Sequence, residues 1–213
     1  MTDKNGEVYL IWRHASHINN QTYTNGSNLY NYEGKLEKGV IYEVIRDIYV
    51  TRSNDSGKAQ NFLPAVRVNA DNWYMNGCPS AGPDLGFDSK GVLHVGWVTG
   101  GWEMPGTYYA NPTTTDSSLN FSEPLPILVD NWMPTSEINL GVDGRDNVWM
   151  ATTDARDDNY SYAFLAVKSA NGELFKNGQF GIGQDPVISS VKTITGVVWK
   201  DNDNVNLAIL KLR

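Results

Sequence analysis

Several residues have types that could do chemistry. His14 and His17 stand three apart in "HASH", a spacing that occurs among metal ligands. No Glu accompanies them in zincin order, so the pair reads as two solvated loop histidines. Cys78 is the only cysteine, which excludes an internal disulfide and a thiolate zinc cluster. As a nucleophile it would need a histidine beside it, and nothing in the sequence brings one there. It reads as a small packed residue. The stretch "TTDARDD" (152–158) offers Asp154 and Asp157, with Arg156 between them. These carboxylates could act as acid or base, or bind Ca²⁺, but they lack the ligand ladder of an EF-hand and read first as a solvated loop. His94 sits inside the apolar run "LHVGW" and reads as a hydrogen-bonded structural histidine. Trp73, Trp102 and Trp132 have rings large enough to stack on a sugar or to plug a seam between packed elements. No cofactor is implied by any of these patterns.

Composition limits what must position these residues. The chain has 213 residues, 40% hydrophobic and 19% charged, enough for a sizeable core. The formal net charge is -7, without the Lys/Arg clusters that displace counterions from nucleic acid. No apolar run approaches the ~20 residues of a membrane-spanning helix. Tyr, Trp and Gly are abundant, and alternating apolar runs lie between Asn/Asp/Gly turns. The chain therefore reads as all-β with short strands.

A repeat organises the strands. "DKNGEVYLIW" (3–12), "DSKGVLHVGW" (88–97) and "DGRDNVWMAT" (143–152) each begin with an Asp turn and continue into an alternating strand. "KTITGVVW" (192–199) is a shortened fourth copy. The end positions Trp12, Trp97, Thr152 and Trp199 are spaced by 85, 55 and 47 residues. The last two spacings are close to the ~40–50 residues of a propeller blade. The first is longer, and residues 14–39 form the obvious insertion. Short apolar strands precede three copies, at 83–87, 137–142 and 186–191, and a further strand follows each copy. This predicts blades at about 1–68, 83–129, 136–181 and 186–213.

The turn "SNDSGKAQNF" (53–62) resembles a degenerate Asp-box, the bacterial neuraminidase repeat. Ser53, Asp55, Gly57 and Phe62 carry the likeness. In "TTDSSLNF" (114–121), Thr114, Asp116 and Phe121 carry it, with Ser118 at the glycine position. "SANGEL" (169–174) keeps only Ser169 and Gly172. The chain thus resembles the sialidase-like propeller family, in an uncharacterised branch. The resemblance implies a β-propeller, usually six-bladed, with four-stranded antiparallel blades. About three and a half to four blades fit in this chain, so it reads as an N-terminally incomplete member of that family. Uncovered blade faces and edges predict self-association as a homo-oligomer. Full-length relatives of this kind imply an extracytoplasmic setting, although the first residues carry no apolar signal core.

Blade topology then sorts the loops into two faces. The Asp-boxes fall on the back. The front face receives 13–39, 69–82, 98–105, 129–135, 152–159, 178–185 and 200–204. Its candidate ligand residues are Arg13, His14, Arg46, Asn72, Trp73, Asn76, Cys78, Trp102, Trp132, Asp154 and Arg156. A small repeat, "ADNW" (70–73) and "VDNW" (129–132), lies there too. Its tryptophans either plug blade seams or stack on a ligand. Arg46 and Asp47 are adjacent in a strand and face opposite ways, which predicts an inter-blade ion pair. Sialidase chemistry needs three converging arginines, a Tyr–Glu pair and an acid/base Asp. No inner strand here opens with arginine. The expectation is a binding or structural module, with carbohydrate or another small ligand on the front face and no catalysis. The alternative is a sialidase-related glycoside hydrolase whose active site is completed by missing blades.

Overall fold

The structure, a computed structural model, describes residues 1–22, 29–30, 36–37, 40–55, 58–75, 79–101, 105–114, 119–131 and 137–211, with backbone alone at 17–44, 176 and 177. Among them there is no α-helix, and every strand pairing is antiparallel. The first sheet joins β1 (Tyr9–Thr22), β4 (Val40–Arg52), β5 (Val66–Arg67) and β6 (Trp73–Tyr74). β2 (Leu29–Tyr30) and β3 (Leu36–Glu37) form a small separate ribbon. The second sheet is a meander of β7 (Asp84–Phe87), β8 (Leu93–Thr99), β9 (Gly106–Ala110) and β10 (Leu125–Val129). The third repeats it with β11 (Asn139–Val142), β12 (Val148–Asp154), β13 (Tyr162–Lys168) and β14 (Leu174–Ile182). The fourth has three strands, β15 (Gln184–Val191), β16 (Ile194–Asp201) and β17 (Asn204–Leu210).

The repeated Asp turns are built alike. Asp3, Asp88 and Asp143 each accept the N–H groups of the second and fourth residues beyond, at 2.7–3.0 Å. The third residue donates to the Asp carbonyl and has positive φ: Gly6, Gly91 and Asp146. The Asp side chain thus satisfies turn amides that the strand ladder leaves over. Successive turns also touch. Lys4 donates to the carbonyl of Lys90, Ser89 donates to the Asp146 carboxylate, and the Gly144 amide donates to Lys192.

Three cores lie between four stacked sheets. Tyr9, Ile48 and Val50 of the first sheet pack on Leu85, Val95, Trp97 and Tyr108 of the second. Tyr109 and Ile127 of the second meet Leu140, Met150 and Phe164 of the third. Trp149, Ala151 and Leu165 of the third meet Val197 of the fourth. Each middle sheet is therefore covered on both faces, and β8 and β12 are buried along their whole length. β16 keeps only alternate residues covered. The cross-strand register puts Trp12, Trp97, Thr152 and Trp199 on the same side of their sheets, facing back along the stack. Gly86 and Gly141 explain how closely the inner strands approach. A Cβ on Gly86 would lie 2.8 Å from Leu140, and one on Gly141 would lie 2.9 Å from Ile188.

The first sheet departs from expectation. Residues 13–22 are not a front loop: β1 continues and pairs with β4 from Tyr9–Arg52 to Thr22–Val40, with a bulge between His17 and Asn19. Arg13 and His14 are therefore strand residues. Trp73 is not in a plain crossing loop either, because β6 pairs with the extended part of β4, Arg46 opposite Trp73. The long ribbon offers a free strand edge, and the chain after β5 satisfies it.

Candidate functional site

Arg13 points from the first sheet into the front end of its seam with the second. Its Nε donates to Ala81 O at 3.0 Å and its Nη2 to Val98 O at 2.5 Å. Its guanidinium carbon lies 4.8 Å from the centre of the Trp73 ring, a cation–π contact. Burial lowers its pKa to about 10, while nearby Asp71 pulls the other way and Arg46 adds to the lowering. Asp71 is buried and accepts the Trp97 indole N–H at 2.8 Å and the Asn69 amide at 2.7 Å. Trp73 is only 3% exposed. This constellation holds two sheets together, and the ring face that a sugar would use carries Arg13.

The charged pair on β4 works differently from the inter-blade ion pair expected of it. Asp47 bonds Arg67 at 3.0 Å, and it also accepts the Asn72 amide at 2.9 Å. Arg67 is on β5, next to β4, so the ion pair is within one sheet. Arg46 faces away and donates to Met75 O at 3.4 Å. His14 is exposed, with its ring edge on Tyr49 at 5.0 Å.

Asp154 ends β12 fully buried. Arg156 grips it in bidentate fashion, Nε to Oδ1 at 2.9 Å and Nη2 to Oδ2 at 2.8 Å, and Gln179 adds a bond at 2.9 Å. Burial by itself would raise its pKa, but these hydrogen bonds outweigh burial and hold it below the usual carboxylate range. Such a carboxylate stays ionised and saturated, which unsuits it as a general acid. Asp157 instead caps the amides of Asn159 and Tyr160.

The two "DNW" stretches are not equivalent in space. In the first, Asp71 is buried and Asn72 is exposed with positive φ. In the second, Asp130 takes the positive φ, and Asn131 is buried between Thr153 O and the Ala155 amide. The buried polar residue has moved by one position.

The two turns that resemble Asp-boxes in sequence are closed by bridges between Ser53 and Phe62 and between Pro112 and Phe121. This register aligns Ser53 with Pro112, not with Thr114, and makes the two turns equal in length. Asp55 accepts the amides of Ala59, Gln60 and Asn61. Ser53 is buried and its Oγ accepts the Val8 amide. Phe62 is 38% exposed. Gly57, Asn76, Cys78, Trp102, Asp116 and Trp132 lie outside the described residues, as does the side chain of His17.

One group escaped the sequence reading. Asp84 opens β7, where its Oδ2 accepts the Leu140 amide of β11 at 2.8 Å. Burial raises its pKa against its hydrogen bonds, and the charge of Glu137 adds to the rise. The signal was a carboxylate at the start of an inner strand. His94, expected to be structural, bonds Tyr109 Oη through Nδ1 at 2.6 Å, with Asp88 3.8 Å from Nε2. Among the described residues, no three His, Cys, Asp or Glu side chains are grouped to hold a metal ion. No protein-family model matches the sequence, and no curated protein matches it.

Proposed function

We propose that this chain is part of a sialidase-like β-propeller and serves as a binding or structural module, with carbohydrate as the ligand class and no catalysis of its own. The observation that carries this reading is the state of three strand charges, Asp154, Asp47 and Arg13. Asp154 is committed to Arg156 and Gln179, Asp47 to Arg67, and Arg13 to two carbonyls and an indole. These groups make a rigid rim without a mobile acid–base pair. The stacked four-stranded meanders and their in-phase turns support the propeller architecture. A glycan array and a panel of fluorogenic glycosides test the function together. Glycan capture without turnover is expected; turnover abolished by Asp154→Ala would overturn the reading.

One observation favours a second reading, a sialidase-related glycoside hydrolase completed by residues outside this chain. Burial shifts the Asp84 pKa upward, the direction in which a general acid is tuned, and the charge of Glu137 adds to the rise. Glycoside turnover lost in Asp84→Asn and kept in Asp154→Asn would select it. Self-association belongs to the first reading. A second copy would cover the exposed face of β15–β17, whose alternating apolar pattern continues that of the three buried seams.

A further inference from the structure

A cleft of about 480 Å³ opens between the third and fourth sheets, where residues 159–161, the β14–β15 junction at 182–184 and the β16–β17 turn at 200–202 meet. We infer that this cleft is the saccharide site and that it takes a neutral oligosaccharide; this rests on the carbohydrate-binding reading above. Its volume is within the ~300–1,000 Å³ typical of small-ligand sites. Tyr160 stands over one wall, 54% exposed. Its ring meets Tyr162 edge-on at 6.4 Å, which braces it. Exposed tyrosine combines an apolar ring with a polar tip, the pairing that a pyranose with its C–H face and hydroxyl rim requires. Asn159, Gln184 and Asn202 bring side-chain amides, each both donor and acceptor, as a hydroxyl is. The residues at the cleft include one of each charge, Lys200 and Asp201, so it has no surplus positive charge for a carboxylated or sulfated sugar.

The walls are held before any ligand arrives. The Trp199 indole N–H donates to Ile182 O at 3.1 Å, and the Gly183 amide donates to Ser161 O at 2.8 Å. The Asp185 amide donates to Thr153 Oγ1 at 3.0 Å. A Cβ on Gly181 would fall 2.7 Å from the Trp199 ring, so the absence of a side chain there admits the indole beneath the cleft. Asp157 fixes the backbone of Asn159 and Tyr160, and the Asn202 amide bonds Asp201. Fixed walls lower the entropic cost of ordering the site on binding.

Calorimetric titration of the full chain with cellohexaose, laminarihexaose, maltohexaose and mannohexaose, and with 3'-sialyllactose, tests this. At least one neutral hexasaccharide should bind, more tightly than sialyllactose. Tyr160→Ala and Gln184→Ala, both exposed positions whose circular dichroism should match the parent, should each weaken it tenfold or more. His14→Ala, on the first sheet, should leave it unchanged. Tighter binding of sialyllactose would overturn the neutral class and keep the carbohydrate reading. Loss in His14→Ala with no change in Tyr160→Ala or Gln184→Ala would overturn the site and keep that reading. No binding by any of the five sugars would overturn both.

Discussion

His94 faces the third sheet, within reach of Asp88 in its own sheet and of Lys168 and Asp146 in the next. Burial lowers its pKa, and Lys168 adds to the lowering against the pull of Asp88. The folded state therefore prefers the neutral ring more than the unfolded chain does. Below the unfolded value of ~6.5 the unfolded chain binds more protons, so stability falls as pH falls. Thermal melts from pH 7.5 to 5 should show a falling midpoint for the parent and a flatter profile for His94→Gln. An equal slope in both would assign the loss elsewhere. Asp154 acts in the same direction at lower pH. Its lowered pKa contributes stability above the unfolded carboxylate value, which is lost as pH drops through the folded one. At this scale residue types alone mislead. Trp73 carried two readings, seam plug or ligand stack, and its buried contact with Arg13 puts it in a seam.

The Asp turn is the element on which the stack is built. Asp143 is the most heavily used of its kind. It accepts the amides of Arg145 and Asn147, the Asn147 side chain, and the Trp149 indole at 3.0 Å. Asp143→Ala would strand buried donors, each costing about 1–3 kcal/mol, so a loss of about 3 kcal/mol is expected from urea unfolding. Asp3→Ala, at the more exposed first turn, should cost well under half of that. The inner-strand glycines form a second device. Gly141→Val would force a branched side chain against Ile188 and Ser190, and should destabilise by about 1–3 kcal/mol or more in the same assay. An unchanged unfolding midpoint for Gly141→Val would mean that the inner strands can separate.

Across the whole molecule, the stack buries one face of its last sheet and leaves the other apolar. Val205, Leu207 and Ile209 are 76%, 63% and 65% exposed, beside Val187, Val191, Ile194 and Val198. Cross-strand pairing of Val187 with Val198 and of Val198 with Leu207 puts them on one face. A contiguous patch of this kind on a free protein binds other apolar surface. Light scattering at micromolar concentration should give a mass above that of one chain, and Leu207→Lys with Ile209→Lys should lower it. A monomeric mass for the parent would refute self-association. The double variant should also reduce binding of an apolar fluorescent dye.

The sequence by itself determined the strand-and-turn order of the second, third and fourth sheets. Alternation and the Asp turns are local properties, so Asp3, Asp88 and Asp143 and the strands after them were legible residue by residue. The side of the sheet on which Trp97 and Trp199 lie also follows from period-two geometry. Only the tertiary structure decided what each side meets. The extension of β1 against β4, which turned an expected loop into a ribbon, is met by the return of Trp73 to pair with Arg46. The one-residue offset between the two "DNW" stretches depended on which buried donors were near each carboxylate or amide. The cleft beside Tyr160 joins loops about twenty residues apart, whose meeting depends on how the fourth sheet seats on the third. Hydrogen bonding in a turn is settled within a few residues, whereas pairing between sheets is a property of the assembled stack.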